Sequence, residues 1–500
     1  MALKNCCFFF ILFFLTECKH PILYEINIRP WLYELSKKYE KSITKIRDIP
    51  LQELDYLKEN GIDIIWMMGV WQFGEYGLEF DKTIDYYSNY LPDWKEEDVI
   101  GSPFAITEYT CNKELGTNED LIWLRLQINE RNMKLMLDFV PNHSAVDAPS
   151  AEFNPKLYIR APEGKKDSGR YTNLGYAYGR YSNNADAWKD VIQFNYWEEE
   201  TRKFMKDNLM TVLNYADGVR VDSSSLVLND VFVKVWEEEL NYWGYTKPKT
   251  EFYEEAINEI KLKYPNAILL AEVYEDWETE LIYKVGFHYT YNKPLLNSLI
   301  GESSDVNKYL LNTKPEFLAH STHFVENHDE DRVVFSMKGN IEKAKAAGTI
   351  AATIGGMIFI NHGQWSGYMN KLEVHLRRGA EEMEDGGVIR YYKKLMKIIQ
   401  EPAFTGLKYS YIDNKTGEKK VDFIAYLREE DKSYYLVVVN YSNTAGCANI
   451  PINNIKGNGE VKLFEAIDGV EYIRNADVIK NEGLIVCLHP WQVQIFKYNY

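Results

Sequence analysis

The stretch KLMLDFVPNH (residues 134–143) runs from an apolar strand directly into polar side chains. Three further stretches share this pattern: GVRVD (218–222), LLAEV (269–273) and FVENHD (324–329). In a barrel of parallel strands, reactive groups lie at the C-terminal ends of the strands. The four stretches therefore predict an active site that is assembled from strand ends on one face of a parallel barrel.

Strand-like and helix-like patterns alternate from residue 22 to about residue 400, and helical stripes such as Leu121, Leu124 and Ile128 precede the strands. Eight apolar runs supply the strand count: LYEINIR (23–29), IDIIWMMGV (62–70), KLMLDFVP (134–141), DGVRVD (217–222), AILLAEVY (267–274), GFHYTY (286–291), THFVENHD (322–329) and MIFINHG (357–363). This alternation is typical of a (β/α)8 TIM barrel of the α/β class. An open doubly wound sheet is the alternative, but the first strand lacks the glycine-rich turn it needs.

Two regions depart from the alternation and predict additional domains. Residues 144–200 are rich in Asn, Gly, Tyr, Asp and Pro and are too long for a simple loop, so we expect a small domain inserted after the third strand. From about residue 405 to 500 the apolar residues follow a period of two, which predicts a C-terminal antiparallel β-sandwich. The barrel then comprises residues 19–143 and 201–400.

The N-terminus carries a short apolar run from Cys6 to Leu15 behind Lys4. The run is too short for a membrane span, so this pattern predicts a signal peptide over residues 1–18 and a protein that is secreted or stays in the lumen of the secretory pathway. Cleavage there would leave three cysteines. Of these, Cys447 and Cys487 lie in the same C-terminal region and could pair, although sequence alone does not define their geometry.

The charge and composition limit the partners. A formal net charge of −17 argues against a nucleic-acid partner and leaves no basic stretch for an anionic membrane surface. Aromatic residues make up 14% of the chain, with 37 Tyr and 12 Trp. Flat rings suit the apolar face of a sugar, but an aromatic-rich core would give the same count, so this observation leaves both interpretations open.

Carboxylates on strand ends suit the cleavage of an acetal, in which one carboxyl donates a proton and another attacks or stabilises the reacting carbon. Glu272 follows the apolar residues LLA, so we expect burial to raise its pKa. Arg220 lies on the same side of its strand as Asp222 and should keep that carboxyl ionised. An Arg–Asp pair that only stiffens the barrel is the structural alternative.

The motifs DFVPNH, GVRVD, AEV and ENHD resemble, in order, the four conserved regions of the α-amylase family of glycoside hydrolases, family 13. The resemblance extends from about residue 20 to the end of the chain. It implies that Asp222 is the nucleophile, Glu272 the general acid/base and Asp329 the third carboxylate. It also implies that His143, Arg220 and His328 bind the reacting sugar, and that the substrate is an oligo- or polysaccharide.

Weaker matches concern metal and substrate binding. Asn142 corresponds to a position that ligates a structural Ca²⁺ in many α-amylases, and oxygen ligands on an inserted loop would suit that ion. The segment QFN (193–195) resembles an additional motif of the family. Tyr76, in the loop after the second strand, is a candidate for stacking on a sugar ring, and a simple packing loop is the alternative.

The sequence departs from the family immediately after Asp222. Many α-amylases carry a Lys-His pair there, whereas this chain has Ser223, Ser224, Ser225 and Leu226. The departure leaves the substrate open without affecting the predicted carboxylates. Hydrolysis of α-glucosidic bonds is the leading prediction, and a glucanotransferase or isomerising enzyme with the same covalent intermediate is the alternative. A non-catalytic carbohydrate-binding relative is a remote third possibility.

Overall fold

A computed structural model describes residues 20–274, 276–301, 303–413, 422–430 and 432–499. The predicted signal peptide, residues 1–18, lies outside the described residues. Across those described ranges, no helix combines the length and the apolar character that a membrane crossing requires.

Eight parallel strands close into a barrel, which confirms the predicted (β/α)8 fold. Around the barrel each strand pairs with its neighbours in the sequence, and β1 closes the ring by pairing with β8 through Ile22 and Ile358. The strands are β1 Ile22–Asn27, β2 Ile64–Met68, β3 Lys134–Phe139, β4 Gly218–Val221, β5 Ile268–Ala271, β6 Tyr289–Tyr291, β7 Ser321–His323 and β8 Met357–Asn361.

Both faces of the barrel strands are buried, which explains why they read as continuous apolar runs. In β2, Ile64, Trp66 and Met68 belong to the core inside the barrel, while Ile65 and Met67 pack in the core that also contains the surrounding helices. Alternate side chains therefore face two different cores, as the period of two in a strand requires.

Helices surround the barrel, and their buried stripes match the predicted pattern. Leu121, Leu124 and Ile128 are the buried residues of the helix before β3. The helices outside the inserted and C-terminal regions are Ile28–Lys38, Leu51–Glu59, Glu75–Asp81, Asn118–Asn129, Glu199–Tyr215, Asn229–Trp243, Phe252–Lys263, Lys293–Ile300, Ser303–Asn312, Pro315–Ala319, Val333–Ser336, Ile341–Thr353, Gly386–Ile398 and Pro402–Thr405, with a π-helical segment at Glu280–Val285.

The long connections after β2 and β3 carry small sheets of their own. After β2, the strands Trp71–Phe73 and Ile106–Cys111 form an antiparallel pair. After β3, three short strands form an antiparallel sheet beside the helix Pro149–Phe153: His143–Ala145, Tyr178–Gly179 and Trp188–Gln193. The inserted sheet begins at His143, so this residue belongs to both the end of the barrel motif and the insert.

The C-terminal region is an antiparallel sheet domain. Its six-stranded sheet and its two-stranded sheet pack around one shared apolar core, as in a β-sandwich. The strands of the large sheet, in spatial order, are Lys408–Tyr411, Phe423–Glu430, Ser433–Asn440, Val493–Asn499, Glu460–Glu465 and Val470–Asn475. The small sheet pairs Gly446–Ile450 with Leu484–Leu488, and the helix Ala476–Glu482 lies between.

A disulfide and a buried arginine secure this C-terminal domain. Cys447 and Cys487 lie opposite each other in the small sheet and form a disulfide, which settles the pairing that the sequence left open. Arg428, on the large sheet, donates to the Ile354 carbonyl at 2.9 Å and the Phe404 carbonyl at 3.1 Å. Through Ile354, just before β8, this guanidinium ties the domain to the barrel.

Candidate active site

Arg220 lies at the centre of the strand-end residues, on β4, with no exposed side-chain surface. Its Nη1 donates to Oδ1 of Asp222 at 2.8 Å and to Oδ1 of Asp138 at 3.4 Å. Its Nη2 lies 2.6 Å from Oε1 of Glu272. One guanidinium therefore contacts carboxylates from three neighbouring strands, β3, β4 and β5.

Aromatic rings enclose this guanidinium. Its Cζ lies 5.0 Å from the ring centre of Trp66 and 5.3 Å from that of Phe104. The Tyr291 hydroxyl accepts a long hydrogen bond from Nε, at 3.4 Å. Rings around a charge exclude water, so the attraction between Arg220 and its carboxylates is less screened than it would be at the surface.

Asp222 follows the last residue of β4 directly, and its backbone position is fixed by the neighbouring strand. The Asp222 N–H donates to the Phe139 carbonyl of β3 at 2.9 Å. Its Oδ1 accepts the charge-assisted hydrogen bond from Arg220. Asp222 lies two positions after Arg220, so the period of a strand brings both side chains to the same side, as the sequence predicts.

Glu272 follows β5 directly and is only 4% exposed. Burial raises its pKa to about 8, although the charge of Arg220 opposes the shift. Its Oε2 accepts from the backbone N–H of Ser223 at 2.6 Å. Ser223 has a left-handed backbone with φ of 41°, and this turn directs its N–H toward Glu272. Burial therefore favours the protonated form of Glu272 more than that of an ordinary carboxyl group.

Asp329 is held in a different way, through a chain of side chains. Its Oδ2 lies 3.2 Å from Nε2 of His328, and Nδ1 of His328 lies 2.5 Å from Oε1 of Glu25 on β1. The cleft partly desolvates Asp329, but the charge of His328 outweighs this and holds the pKa of Asp329 below its usual range. Burial opposes the charge on His328, and Asp329 and Glu25 together raise its pKa well above the usual value.

The seventh strand is shorter than the sequence indicates. The run THFVENHD (322–329) predicts a strand that ends at its polar residues, whereas β7 stops at His323, six residues before Asp329. A turn takes its place, in which Oδ1 of Asn327 accepts from the N–H groups of Asp329 and Glu330 at 3.0 and 2.9 Å. An Asn side chain that bonds the backbone in this way replaces the strand hydrogen bonds.

His143 and Asn142 lie side by side where β3 leads into the inserted sheet. Burial lowers the pKa of His143, although the charge of Asp222 acts in the opposite direction. The imidazole contacts the edge of Trp188, with ring centres 5.5 Å apart. His143 is therefore a buried imidazole close enough to Asp222 for the two groups to interact.

Asn142 is buried, and its polar atoms are already engaged within the protein. Its Oδ1 and its carbonyl oxygen accept from Nε2 of Gln193, at 3.0 and 2.8 Å. Gln193 begins the QFN segment, so the two motifs meet here. Within the part of the chain that the structure describes, no three His, Cys, Asp or Glu side chains cluster as a metal site would require. The predicted Ca²⁺ site at Asn142 therefore stays a prediction.

Tyr76 lies on the rim, on the helix Glu75–Asp81, and is 43% exposed. Its backbone N–H donates to Oδ2 of Asp147 in the inserted region at 3.0 Å. Its side chain meets the Tyr178 hydroxyl of the inserted sheet. The accessible ring leaves the stacking role as a prediction.

Several polar residues of the site were missed at the sequence level. Glu25 binds His328, Asp138 accepts a hydrogen bond from Arg220, and Tyr274 lies beside Glu272 and Asp329. Burial raises the pKa of Asp138 to about 6. A carboxylate inside the apolar runs LYEINIR and KLMLDFVP was a usable signal for Glu25 and Asp138, because a buried charge needs a partner.

The fold and this arrangement together define a barrel enzyme whose paired carboxylates suit the cleavage of glycosidic bonds. Residues 50–401 match the family model described as "Alpha amylase, catalytic domain". The chain therefore belongs to the alpha-amylase family of glycoside hydrolases, enzymes that act on glycosidic bonds.

Individual relatives are distant. The chain is 23% identical to "Alpha-amylase 3" of Dictyoglomus thermophilum over 96% of this chain and 93% of that protein. It is 25% identical to "Oligo-1,6-glucosidase" of Bacillus cereus over 70% of this chain and 66% of that protein. Among solved structures, the noncanonic maltogenic alpha-amylase AmyB of Thermotoga neapolitana has a TM-score of 0.71 at 18% identity, covering 96% of this chain and 99% of that one. The structural likeness concerns the fold.

Proposed function

We propose that this protein is a retaining α-glycosidase that hydrolyses α-glucosidic bonds in α-glucans or malto-oligosaccharides through a covalent glycosyl-enzyme. The observation that carries the proposal is the guanidinium of Arg220, which is shared by Asp222 and Glu272 at 2.8 and 2.6 Å. Carboxyl groups that meet on one guanidinium suit the spacing of roughly 5 Å in retaining enzymes better than the wider spacing of inverting ones.

The two carboxyl groups take complementary parts. Asp222 attacks the anomeric carbon as the bond from that carbon to the leaving oxygen breaks, and Glu272 gives its proton to that oxygen. The leaving sugar departs as a neutral alcohol, and a sugar–Asp222 ester remains. Glu272, now a carboxylate, takes a proton from water, whose oxygen displaces Asp222 and restores the starting configuration. A Glu272 pKa of about 8 supports the acid role at neutral pH.

The remaining groups support this reaction. Asp329, kept ionised by His328, stabilises positive charge on the anomeric carbon and accepts hydrogen bonds from sugar hydroxyls. Arg220, His143 and His328 bind the reacting sugar around the carboxylates. Tyr76 supplies an accessible ring for a further sugar unit, in keeping with its place on the rim.

A second candidate is transfer of the sugar to another sugar, which uses the same intermediate. Ser223, Ser224, Ser225 and Leu226 stand where many family members have Lys and His. Ser224–Val227 form a short 3-10 helix that Ser223 precedes, and the Ser224 hydroxyl donates a hydrogen bond to the Val221 carbonyl. The leaving-group side therefore lacks the two usual polar groups, and the acceptor, water or sugar, depends on that side.

We also propose that the protein is secreted through its N-terminal signal peptide. The disulfide between Cys447 and Cys487 supports an oxidising compartment, because structural disulfides persist mainly in secreted proteins.

Replacing the nucleophile tests the proposal. Asp222→Asn removes the attacking charge without changing the size of the side chain, and we expect turnover to fall about 10⁴-fold or more with little change in melting temperature. Asp207→Asn, the same change at an exposed position of the helix Glu199–Tyr215, is the control and should leave turnover unchanged. Substantial residual activity, or a trapped sugar on Glu272 instead, would reject these assignments.

Product analysis separates the two candidates. The protein is incubated with malto-oligosaccharides, isomalto-oligosaccharides and starch, and the products are separated by size while their anomeric configuration is followed by NMR. Shorter products with the starting α configuration support retaining hydrolysis, whereas products longer than the substrate indicate transfer. No cleavage of any of them would favour a carbohydrate-binding role.

A further inference from the structure

Tyr274 lies two residues after Glu272 and bridges two of the three carboxyl groups. Its hydroxyl oxygen is 3.0 Å from Oε1 of Glu272 and 3.2 Å from Oδ2 of Asp329. The ring packs edge-on against Tyr291, with ring centres 5.9 Å apart, and the ammonium of Lys293 lies 5.9 Å from the ring centre. These contacts fix the phenol between the ends of β5 and β7.

The donors and acceptors around Glu272 decide what this hydroxyl does. Oε2 of Glu272 accepts from the Ser223 N–H, and Oε1 lies against the Arg220 guanidinium. A backbone N–H and a guanidinium can only donate. If Glu272 carries a proton, the Tyr274 hydroxyl is therefore the one contact described for this carboxyl that can accept it.

The same count applies to the phenol itself. A hydroxyl has one proton to donate and lone pairs to accept with. If Glu272 and Asp329 were both ionised, both would need the single proton of the Tyr274 hydroxyl. One of the two carboxylates would then face the phenol oxygen without a hydrogen bond. When Glu272 is protonated, both contacts are satisfied, because Glu272 donates to Tyr274 and Tyr274 donates to Asp329.

We propose that Tyr274 is a positioning residue that holds Glu272 in its protonated, acid form by accepting its proton in a hydrogen bond and donating onward to Asp329. The chain then continues from Asp329 to His328 and Glu25. This inference rests on the proposed function, because it assigns Glu272 the part of general acid. Tyr274 acts through Glu272 and takes no bond-making step itself.

Charged groups from several strands surround this series of hydrogen bonds and determine which carboxyl group carries the proton. Arg220 and Asp222 face Glu272 from β4, and Asp138 reaches the same guanidinium from β3. Lys293 faces Tyr274 after β6, and Lys371, after β8, donates to the Asp329 carbonyl. The pKa of Asp329 is held low by His328 while that of Glu272 is raised by burial, so the proton resides on Glu272.

Tyr274→Phe removes the hydroxyl and keeps the ring. The protonated form of Glu272 loses its acceptor, so the pKa of Glu272 falls. We expect the basic limb of kcat/KM to move to lower pH by about 0.5–1 unit, the size that one hydrogen bond gives. Tyr283→Phe loses a hydroxyl from the same connection after β5, at an exposed position, and should leave the profile unchanged.

A second measurement separates an effect on the acid from general damage. α-Glucosyl and α-maltosyl fluoride need little protonation of the leaving group, so Tyr274→Phe should keep most of its activity on the fluoride that the unaltered protein cleaves. On malto- or isomalto-oligosaccharides, whose leaving oxygen needs the proton, we expect kcat/KM at about pH 9 and above to fall about 3- to 10-fold, which is the ratio that a pKa shift of 0.5–1 unit gives there. Activity on the fluoride also shows that the variant is folded.

The outcomes are distinct. A basic limb that stays in place or moves to higher pH would overturn the proposal, as would equal losses on fluoride and oligosaccharide. If Tyr274→Phe lowers KM and leaves the pH dependence of kcat/KM unchanged, the proposal is also overturned, and the result indicates that the substrate displaces the Tyr274 hydroxyl. If the unaltered protein cleaves neither fluorides nor oligosaccharides, the proposed function fails, and that failure is separate from any effect of Tyr274.

Discussion

The ends of β4 and β5 and the end of β7 present carboxylates to the same site by different means. Asp222 and Glu272 follow their strands directly, and backbone hydrogen bonds together with Arg220 hold them. Asp329 comes six residues after β7, is 47% exposed in its side chain and depends on His328, Glu25 and the Asn327 turn. Strand ends position the first pair, whereas the neighbouring side chains of Asn327 and His328, with Glu25 on β1 behind His328, position the third carboxylate.

Of the three substitutions, Arg220→Lys, which disturbs the ends of β4 and β5, should reduce turnover the most. Lysine keeps the positive charge but loses the planar fork that reaches Asp222 and Glu272 together. We expect kcat to fall about 10³-fold and the unfolding free energy to fall by about 3 kcal/mol, because buried carboxylates lose a partner. Steady-state kinetics and denaturant unfolding measure the two losses.

The control for this change is Arg202→Lys. Arg202 lies 2.6 Å from Glu255 in an ion pair between two outer helices, away from the strand ends. The control should lower stability with little effect on kcat. If Arg220→Lys were no more damaging to turnover than Arg202→Lys, Arg220 would only stiffen the barrel.

Glu25→Gln disturbs the β7 side. The pKa of His328 is raised above its unfolded value, so its contribution to stability is fully present below about pH 6.5 and is lost as pH rises through the folded pKa. Removing the Glu25 charge lowers the pKa of His328 in the folded protein. We therefore expect the stability that protonated His328 contributes to decline at a lower pH than in the unaltered protein. Denaturant midpoints between pH 6 and 10 should show this shift, with a loss of about 2 kcal/mol at pH 7.

Glu34→Gln is the matched control, since Glu34 binds His362 at 2.6 Å in a more exposed pair. Solvent screens exposed pairs, so its effect should be much smaller. Identical pH dependence in Glu25→Gln and the unaltered protein would show that His328 does not need Glu25.

Asn327→Ala gives the smallest effect of the three. It removes the oxygen that accepts from the N–H groups of Asp329 and Glu330 and so loosens the turn rather than the charges. We expect kcat/KM to fall about 3- to 10-fold, the range that one or two modest hydrogen bonds give. Asn327→Ser retains a short acceptor and should recover part of the loss; no difference between the two variants would mean that the turn forms without this side chain.

The barrel and half of the site could be predicted because their determinants are local. Arg220 lies within β4, and Asp222 and Glu272 follow their strands directly, so strand periodicity and burial together predict their direction and the raised pKa of Glu272. The length of β7 was predicted wrongly. FVENH is as apolar at its start as a strand, but the strand pairing ends at His323, and Asn327 forms a turn with Asp329 and Glu330 further along.

The sequence by itself determined the fold, the family and the strand-end carboxylates, because period-two burial and motif order are readable along the chain. The tertiary structure decided which groups meet across the barrel. Glu25 and His328 are 303 positions apart, and Tyr274, which follows β5, contacts Asp329, which follows β7. These contacts form because the barrel closes and its interior packs. Non-local contacts of this kind leave no periodic pattern in a sequence, and they set the charges on which the proposed chemistry depends.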